Sequence, residues 1–267
     1  MENDDLPIGR VLDRREALKL LALTGTAMLV GCNRETASAA STSAAAGSAS
    51  TASVSLPGCV VRPELTEGPY FVDNDLDRSD IRTDPATGIA RPGAPLVLTF
   101  NVSQVGKNQC APLAGAHVDV WQCDAAGTYS GVNDRMEGFN TVGEKFLRGY
   151  QTTDAKGIAR FTTIYPGWYR GRTVHIHFKI RTPWAAGTKV ADTNKQYDFT
   201  SQLFFDDAFS DKVFAKAPYS AKGDRGLRNE SDGIFRQSGD SLLLKVADAG
   251  TGYAAAFDIG LDLSGNR

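Results

Sequence analysis

Histidine is scarce in this sequence, with three in 267 residues, and cysteine is little commoner, with four. The cysteines Cys32, Cys59, Cys110 and Cys123 are spaced too widely for a thiolate metal cage, which needs clustered ligands. An excess of one charge is also missing: 29 lysines and arginines face 31 aspartates and glutamates, for a formal net charge of −2. That balance gives no general electrostatic reason to bind nucleic acid or an acidic membrane surface. The apolar stretch from Leu20 to Val30 is too short and too interrupted for a membrane span. Internal repeats are absent, and helical periodicity is scarce beyond residue 55.

What is present begins with an address. Asp13-Arg14-Arg15-Glu16-Ala17-Leu18-Lys19 reads as a twin-arginine export signal, followed by the apolar stretch. It ends in Leu29-Val30-Gly31-Cys32, which resembles a bacterial lipobox whose cysteine becomes the lipid-modified first residue. Residues 1–32 are therefore expected to be a lipoprotein signal. The protein is expected to be exported and held at the membrane only through a lipid on Cys32, facing the periplasm or the exterior. Residues 36–56 are almost entirely alanine, serine and threonine, so 33–57 is expected to be a disordered tether. A coil of that length reaches roughly 25 Å. Residues 58–267 form the remaining domain. With Cys32 lipidated, three cysteines remain in an oxidising compartment. One disulfide and one buried free thiol is the simplest account, with Cys110 the favoured partner because it sits in a loop-like stretch.

From Cys59 onward the pattern changes to short segments of period two. Leu96, Leu98, Phe100 and Val102 alternate with small or polar residues, as do Val118 and Val120. Val174, Ile176, Phe178 and Ile180 alternate with His175, His177 and Lys179. The longest run is Tyr253 to Leu263, and Phe199–Phe205 and Leu242–Val246 are further candidates. Glycine-rich turn signals separate the segments. The pattern predicts an all-β fold, a β-sandwich of about seven or eight strands with long loops. Asp207–Lys216 is expected to form one short helix, and Ala217–Gly239 a loop.

Two of the three histidines fall in one predicted strand as His175-Ile176-His177. Residues i and i+2 of a strand face the same way, roughly 6.5–7 Å apart along the chain. Two imidazoles there can converge on one metal. An isolated pair of this kind is equally compatible with ordinary core or surface histidines. His117 reads as structural.

The surroundings of the pair decide the matter. Thr163-Ile164-Tyr165-Pro166-Gly167-Trp168-Tyr169-Arg170-Gly171-Arg172-Thr173-Val174-His175-Ile176-His177 resembles the second metal-binding segment of the intradiol ring-cleavage dioxygenases, the family of the protocatechuate and catechol dioxygenases. Trp121-Gln122-Cys123-Asp124-Ala125-Ala126-Gly127-Thr128-Tyr129-Ser130 resembles its first tyrosine segment. Thr66-Glu67-Gly68-Pro69-Tyr70 resembles an early stretch beside its substrate pocket, and Phe199–Phe205 the strand after the histidines. The pieces occur in the family's order from about Cys59 to Phe205.

The resemblance implies one Fe(III) ion held by the phenolates of Tyr129 and Tyr169 and the imidazoles of His175 and His177. Two anionic phenolates suit a hard ferric ion. The implied reaction cleaves a catechol-type ring between its hydroxyls with O₂, giving a muconate-type diacid. Tyr169 would be the displaceable axial ligand, paired with His177, and would accept a substrate proton. Arg172 matches an arginine over the site that stabilises charge on the substrate, and Gln202 a glutamine just outside the ligand set. The implied partners are a small catechol and O₂, with no external reductant. One feature departs from the classical protocatechuate enzymes. Only Arg170 and Gly171 separate Tyr169 from Arg172, where those enzymes carry a longer insert with a tryptophan. The short form resembles a secreted branch of the family, so the classical substrate contacts are not implied, and neither is an N-terminal helical dimerisation segment. The natural catechol and the oligomeric state are left open by these motifs.

Two rivals belong to other classes. A cupin-type metalloenzyme also uses His-x-His on a β-scaffold, but it takes a further histidine downstream, and none follows His177. A surface-tethered β-sandwich for adhesion or carbohydrate binding would suit the prealbumin-like stretch Pro112–Trp121. It leaves both tyrosines, Arg172 and the histidine pair unexplained. Colour separates these readings, because tyrosinate-to-iron charge transfer makes a protein reddish.

Overall fold

The alternation of apolar and polar residues becomes two large sheets, with one small two-stranded sheet beside them. The computed structural model describes residues 60–106, 110–183 and 196–263. The expected signal, the tether and Cys59 lie outside the described residues. The strands are β1 (Pro95–Val105), β2 (Cys110–Pro112), β3 (His117–Trp121), β4 (Asn133–Asp134), β5 (Phe139–Asn140), β6 (Arg148–Thr152), β7 (Ile158–Ile164), β8 (His175–Pro183), β9 (Gln196–Phe204), β10 (Val246–Ala249) and β11 (Gly252–Leu261). Helices are few and short: α1 (Asp207–Phe214) and α2 (Phe235–Ser238), with single 3₁₀ turns around them. Asp206 caps α1 by accepting from the Phe209 N–H at 2.8 Å.

One large sheet runs β10-β11-β1-β2 with β7 also on β1, the other runs β6-β3-β8-β9, and β4 pairs with β5 by itself. β1 and β11 pair in parallel with Phe100 opposite Phe257, and the remaining pairs are antiparallel. Leu96, Leu98, Phe100 and Val102 point to one side of β1 and are buried. Ile176, Phe178 and Ile180 do the same from β8. The two sets meet: the Phe178 ring lies 5.3 Å from that of Phe100 and 5.5 Å from that of Phe257. Each such side chain contributes about 1.5–3 kcal/mol by leaving water, so this shared core holds the sheets in register.

The opposite face of β8 carries His175, His177 and Lys179. In a two-layer protein that face is usually wet, yet the histidines are 2% and 1% exposed. They are roofed by a second cluster of Tyr70, Trp121, Cys123, Tyr129 and Tyr169. All but Trp121 come from connecting segments, not from strands. The fold therefore builds a dry chamber on the outer face of a sheet.

Some expectations are corrected. Leu242–Val246 is not a strand; Leu242 ends a 3₁₀ turn and Leu243 makes a single bridge to Phe204. A short apolar run buries itself equally well in either conformation. Ala217–Gly239 is not a plain loop but holds two 3₁₀ turns and the whole of α2. Buried Tyr219 and Phe235 anchor it, and Arg225 pairs with Asp207 and Asp211. Strands β6 and β7 were not expected; β6 buries Arg148 where an apolar residue would have marked it. Cys110 is disulfide-bonded and Cys123 is a buried free thiol.

Candidate metal centre

The first tyrosine stands on a tight turn. Asp124 Oδ1 accepts from the N–H groups of Ala126 and Thr128 at 2.9 and 3.0 Å, which folds the chain back before Tyr129. Gly127 sits in that turn at φ +85°, and a Cβ there would lie 2.2 Å from the Trp168 carbonyl oxygen. The close approach matters because Trp168 precedes the second tyrosine. The two tyrosine-bearing segments are tied directly. Gly167 N–H donates to Asp124 O at 3.1 Å, and Lys222 Nζ donates to Ala126 O and Trp168 O, each at 2.6 Å.

The histidines arrive from β8 beneath them. The His175 Nδ1–H donates to the Thr173 carbonyl at 2.7 Å, which leaves Nε2 with a free lone pair. That Nε2 lies 3.0 Å from His177 Nε2, 3.2 Å from Tyr169 Oη and 3.5 Å from Tyr129 Oη. His177 stacks on Trp121 with ring centroids 5.0 Å apart and planes 6° apart. Its Nδ1 is buried without a hydrogen-bond partner. Tyr70 stacks on Tyr129 with centroids 4.3 Å apart, and its Oη donates to Asp134 at 2.5 Å.

Burial, with Arg172 adding to it, drives the His175 pKa down to about 3. Burial, then His175 and Arg172, pushes His177 lower than the ordinary range as well. Both imidazoles are neutral near pH 7, the form that ligates metals. Burial raises both phenols above their ordinary value of 10. In the protein alone these are neutral hydroxyls, and a bound cation inverts that preference by pairing with the phenolates. The donor set fits a hard metal ion. The imidazole Nε2 atoms, 3.0 Å apart, are close enough for both to hold one ion. Among the described residues no group of three or more histidine, cysteine, aspartate or glutamate side chains gathers as a metal site.

Arg172 borders both this cluster and a cavity of about 320 Å³ lined by Thr66, Gly171, Asp232, Ile234 and Gln237 among others. Its Nη2 donates to Gln202 Oε1 at 2.6 Å, and Gln202 Nε2 donates to Thr66 O at 2.8 Å. Gln202 pairs across the sheet with His177, so this chain of bonds runs along one end of β8 and β9. Tyr129, Tyr169, Arg172, His175, His177 and Gln202 are thus gathered in one place. His117 is elsewhere, half-buried and stacked on Tyr150 with centroids 4.4 Å apart.

Several residues here were not singled out by the sequence. Asp232 accepts from Arg172 Nε at 2.9 Å and from the Thr173 N–H at 2.8 Å. Asn229 Oδ1 accepts from the Thr173 hydroxyl at 2.6 Å. No local signal marks them as neighbours of Arg172. Trp121 and Tyr70 lie inside the motifs, but only the fold sets their rings against His177 and Tyr129.

Residues 66–222 match a family model described as dioxygenase. A catechol 1,2-dioxygenase 2 of Acinetobacter lwoffii is 29% identical over 168 residues, 55% of this chain and 55% of its own length. A protocatechuate 3,4-dioxygenase beta chain of Burkholderia cepacia is 32% identical over 117 residues, 41% of this chain and 46% of its own. The chain therefore spans about half the length of the curated relatives it matches. Among solved structures, an intradiol ring-cleavage dioxygenase from Tetranychus urticae superposes with a TM-score of 0.63 at 32% identity, covering 77% of this chain and 96% of that one.

Proposed function

The chain belongs to the intradiol ring-cleavage dioxygenases, and from that premise we propose that it is a non-haem Fe(III) enzyme. It cleaves a catechol-type ring between the two hydroxyls, incorporating both atoms of O₂ to give a muconate-type diacid. The observation that carries this reading is the convergence of the two imidazole nitrogens, 3.0 Å apart, with both tyrosine oxygens within 3.5 Å of His175 Nε2. The two sheets are read as a β-sandwich scaffold for that site.

Tyr129, Tyr169, His175 and His177 are assigned as the residues that hold the iron. When bound, Fe(III) supplies Lewis acidity toward the catechol hydroxyls and draws electron density from the ring. The protein's part is distinct for each residue. Thr173 O fixes the His175 tautomer. Tyr129, 1% exposed and stacked under Tyr70, is built to stay where it is. Tyr169 is 8% exposed against 1% for Tyr129, and as a phenolate its Oη accepts a proton from one substrate hydroxyl. Arg172, fixed by Asp232 and Gln202, directs its remaining N–H groups toward charge that builds on the substrate. The aromatic roof excludes water, which strengthens each of these interactions.

The reading extends to location. Arg14-Arg15 and the Cys32 lipobox support export and lipid anchoring, with the Ala/Ser/Thr tether holding the domain off the membrane. The decisive experiment is a visible spectrum of the iron-loaded protein followed by oxygen uptake on catechol. A tyrosinate charge-transfer band with stoichiometric O₂ consumption is expected. Stoichiometric zinc and no such band would sink the proposal.

A further inference from the structure

The most deeply buried arginine among the described residues is Arg148 on β6, 3% exposed. Its Nε donates to Ser130 O and Oγ at 3.1 and 2.9 Å, and its Nη2 donates to Ser130 O at 2.5 Å. Nη1 is buried without a hydrogen-bond partner. These bonds hold the residue that follows Tyr129, and all of them go to neutral oxygens. The arginines near β8 are matched differently: Arg172 by Asp232, and Arg181 by Asp73 and Asp119. Asp119, on the same face of β3 as Trp121, gives both its oxygens to Arg181. Among the described residues no carboxylate is bonded to Arg148. Arg148 stands opposite Trp121 on β3, and Trp121 stands opposite His177 on β8. Two strand spacings, about 10 Å, therefore separate Arg148 from His177. Trp121 between them is 2% exposed, so little water screens the path. Burial pulls the Arg148 pKa down to about 10 and Tyr129 opposes it, so the guanidinium is charged near pH 7.

We propose that the unmatched charge of Arg148 raises the Fe(III)/Fe(II) reduction potential of the bound iron; the inference rests on the ring-cleavage reading above. Two phenolates stabilise Fe(III) over Fe(II), which makes the ion a reluctant acceptor of electron density. A positive charge beyond Trp121 acts in the opposite sense, because it favours the state of the site that carries more negative charge. The ferric ion then draws electron density from a bound catechol more readily. Holding Ser130 does not by itself call for an arginine, since a neutral donor could do it. Burying a guanidinium without a carboxylate costs stability. A cost of that kind is expected where the charge serves a site.

The test measures the midpoint potential of the iron-loaded protein in a dye-mediated titration without oxygen, following the tyrosinate band. Arg148→Gln keeps an N–H donor for Ser130 and removes the charge. Its potential should fall. The ratio of its ferric to ferrous affinity, from chelator competition, should rise about tenfold, the effect of one charge about 10 Å away at an effective dielectric of about 20. Arg148→Lys keeps the charge, and Ser130→Ala drops a hydroxyl contact but keeps the guanidinium, so both should stay near wild type. Asn74 and Arg148 line one small cavity of about 20 Å³, and Asn74 Nδ2 is likewise buried without a partner. Asn74→Asp therefore sets a carboxylate beside an intact arginine and should lower the potential too. A potential unmoved in Arg148→Gln, or in Asn74→Asp where Arg148→Gln does not fold, overturns the inference and leaves ring cleavage standing. An equal fall in Ser130→Ala and Arg148→Lys overturns it as well, by assigning the effect to the loop that carries Tyr129. An iron-loaded protein with no tyrosinate band and no O₂ uptake on catechol removes the ring-cleavage reading itself, and the inference falls with it.

Discussion

Arg172 Nε and Asp232 Oδ2 are 2.9 Å apart across a sequence separation of 60 residues, with the carboxylate sealed from water. The same carboxylate oxygen takes the Thr173 N–H, while its twin takes the Ile234 and Phe235 N–H groups where α2 begins. One side chain thus fixes Arg172, Thr173 two residues ahead of β8, and a helix start. A loop that lies beyond the family match at residue 222 is built into the site.

This arrangement sets a pH-dependent stability. Burial by itself would raise the Asp232 pKa, but Arg172 and the Thr173 and Phe235 amides outweigh it and hold the carboxyl below its ordinary 3.8. A carboxyl lowered on folding stabilises the protein fully above the unfolded value, and the contribution is lost as pH falls through the folded one. Asp232→Asn should therefore cost about 2 kcal/mol in urea unfolding at pH 7. That difference should shrink below pH 3.8. An equal difference at pH 7 and pH 2 would count against the ion pair.

Metal removal should be visible and measurable. Chelation of the iron-loaded protein should bleach its colour and lower its Tm, since a ligand present at about 1,000 times its Kd stabilises by roughly 4 kcal/mol. Re-addition of ferric ion should restore both. A Tm indifferent to chelation would mean that the cluster does not hold the ion.

The two tyrosines should behave differently. Tyr169→Phe leaves Tyr129, His175 and His177 in place, so colour should shift but persist. Turnover should fall about 10²–10⁴-fold, the usual loss for a general base, with much less effect on catechol binding. Tyr129→Phe should weaken iron binding in the resting protein as well. Near wild-type turnover in iron-loaded Tyr169→Phe would remove its role as base.

Gly68 sits at φ +71°, and a Cβ there would lie 3.3 Å from His177 Cε1. Gly68→Ala should cost about 1–2 kcal/mol from the left-handed backbone. It should also press on His177 and weaken iron binding, as read by competition with a chelator. Unchanged iron affinity would show that His177 tolerates the push.

The legible part of the fold was whatever has a local period. Leu96 to Val102 and Val174 to Ile180 announced strands because side chains alternate across a pleat, and the structure buries those residues. The Leu242–Val246 run misled because continuous apolar residues carry no period to distinguish strand from turn. Residues 217–239 read as a loop because their order comes from distant partners. Arg225 reaches Asp207 and Asp211, and Asn229 Nδ2 donates to Phe205 O.

By itself the sequence determined which atoms are available and which way they face along each strand. His175 and His177 share one side of β8 because a strand has period two, and tyrosine, histidine and arginine are the side chains that the implied iron chemistry uses. The tertiary structure alone decided that Tyr129 and Tyr169 meet them. Tyr129 is 46 residues from His175, and its approach depends on the Gly167–Asp124 bond and the Lys222 bridge between two loops. It also decided that the charge of Arg172 is matched from Asp232. Local periodicity carries no information about contacts made across such separations. They are set by which hydrogen bonds remain to be satisfied once the sheets have packed.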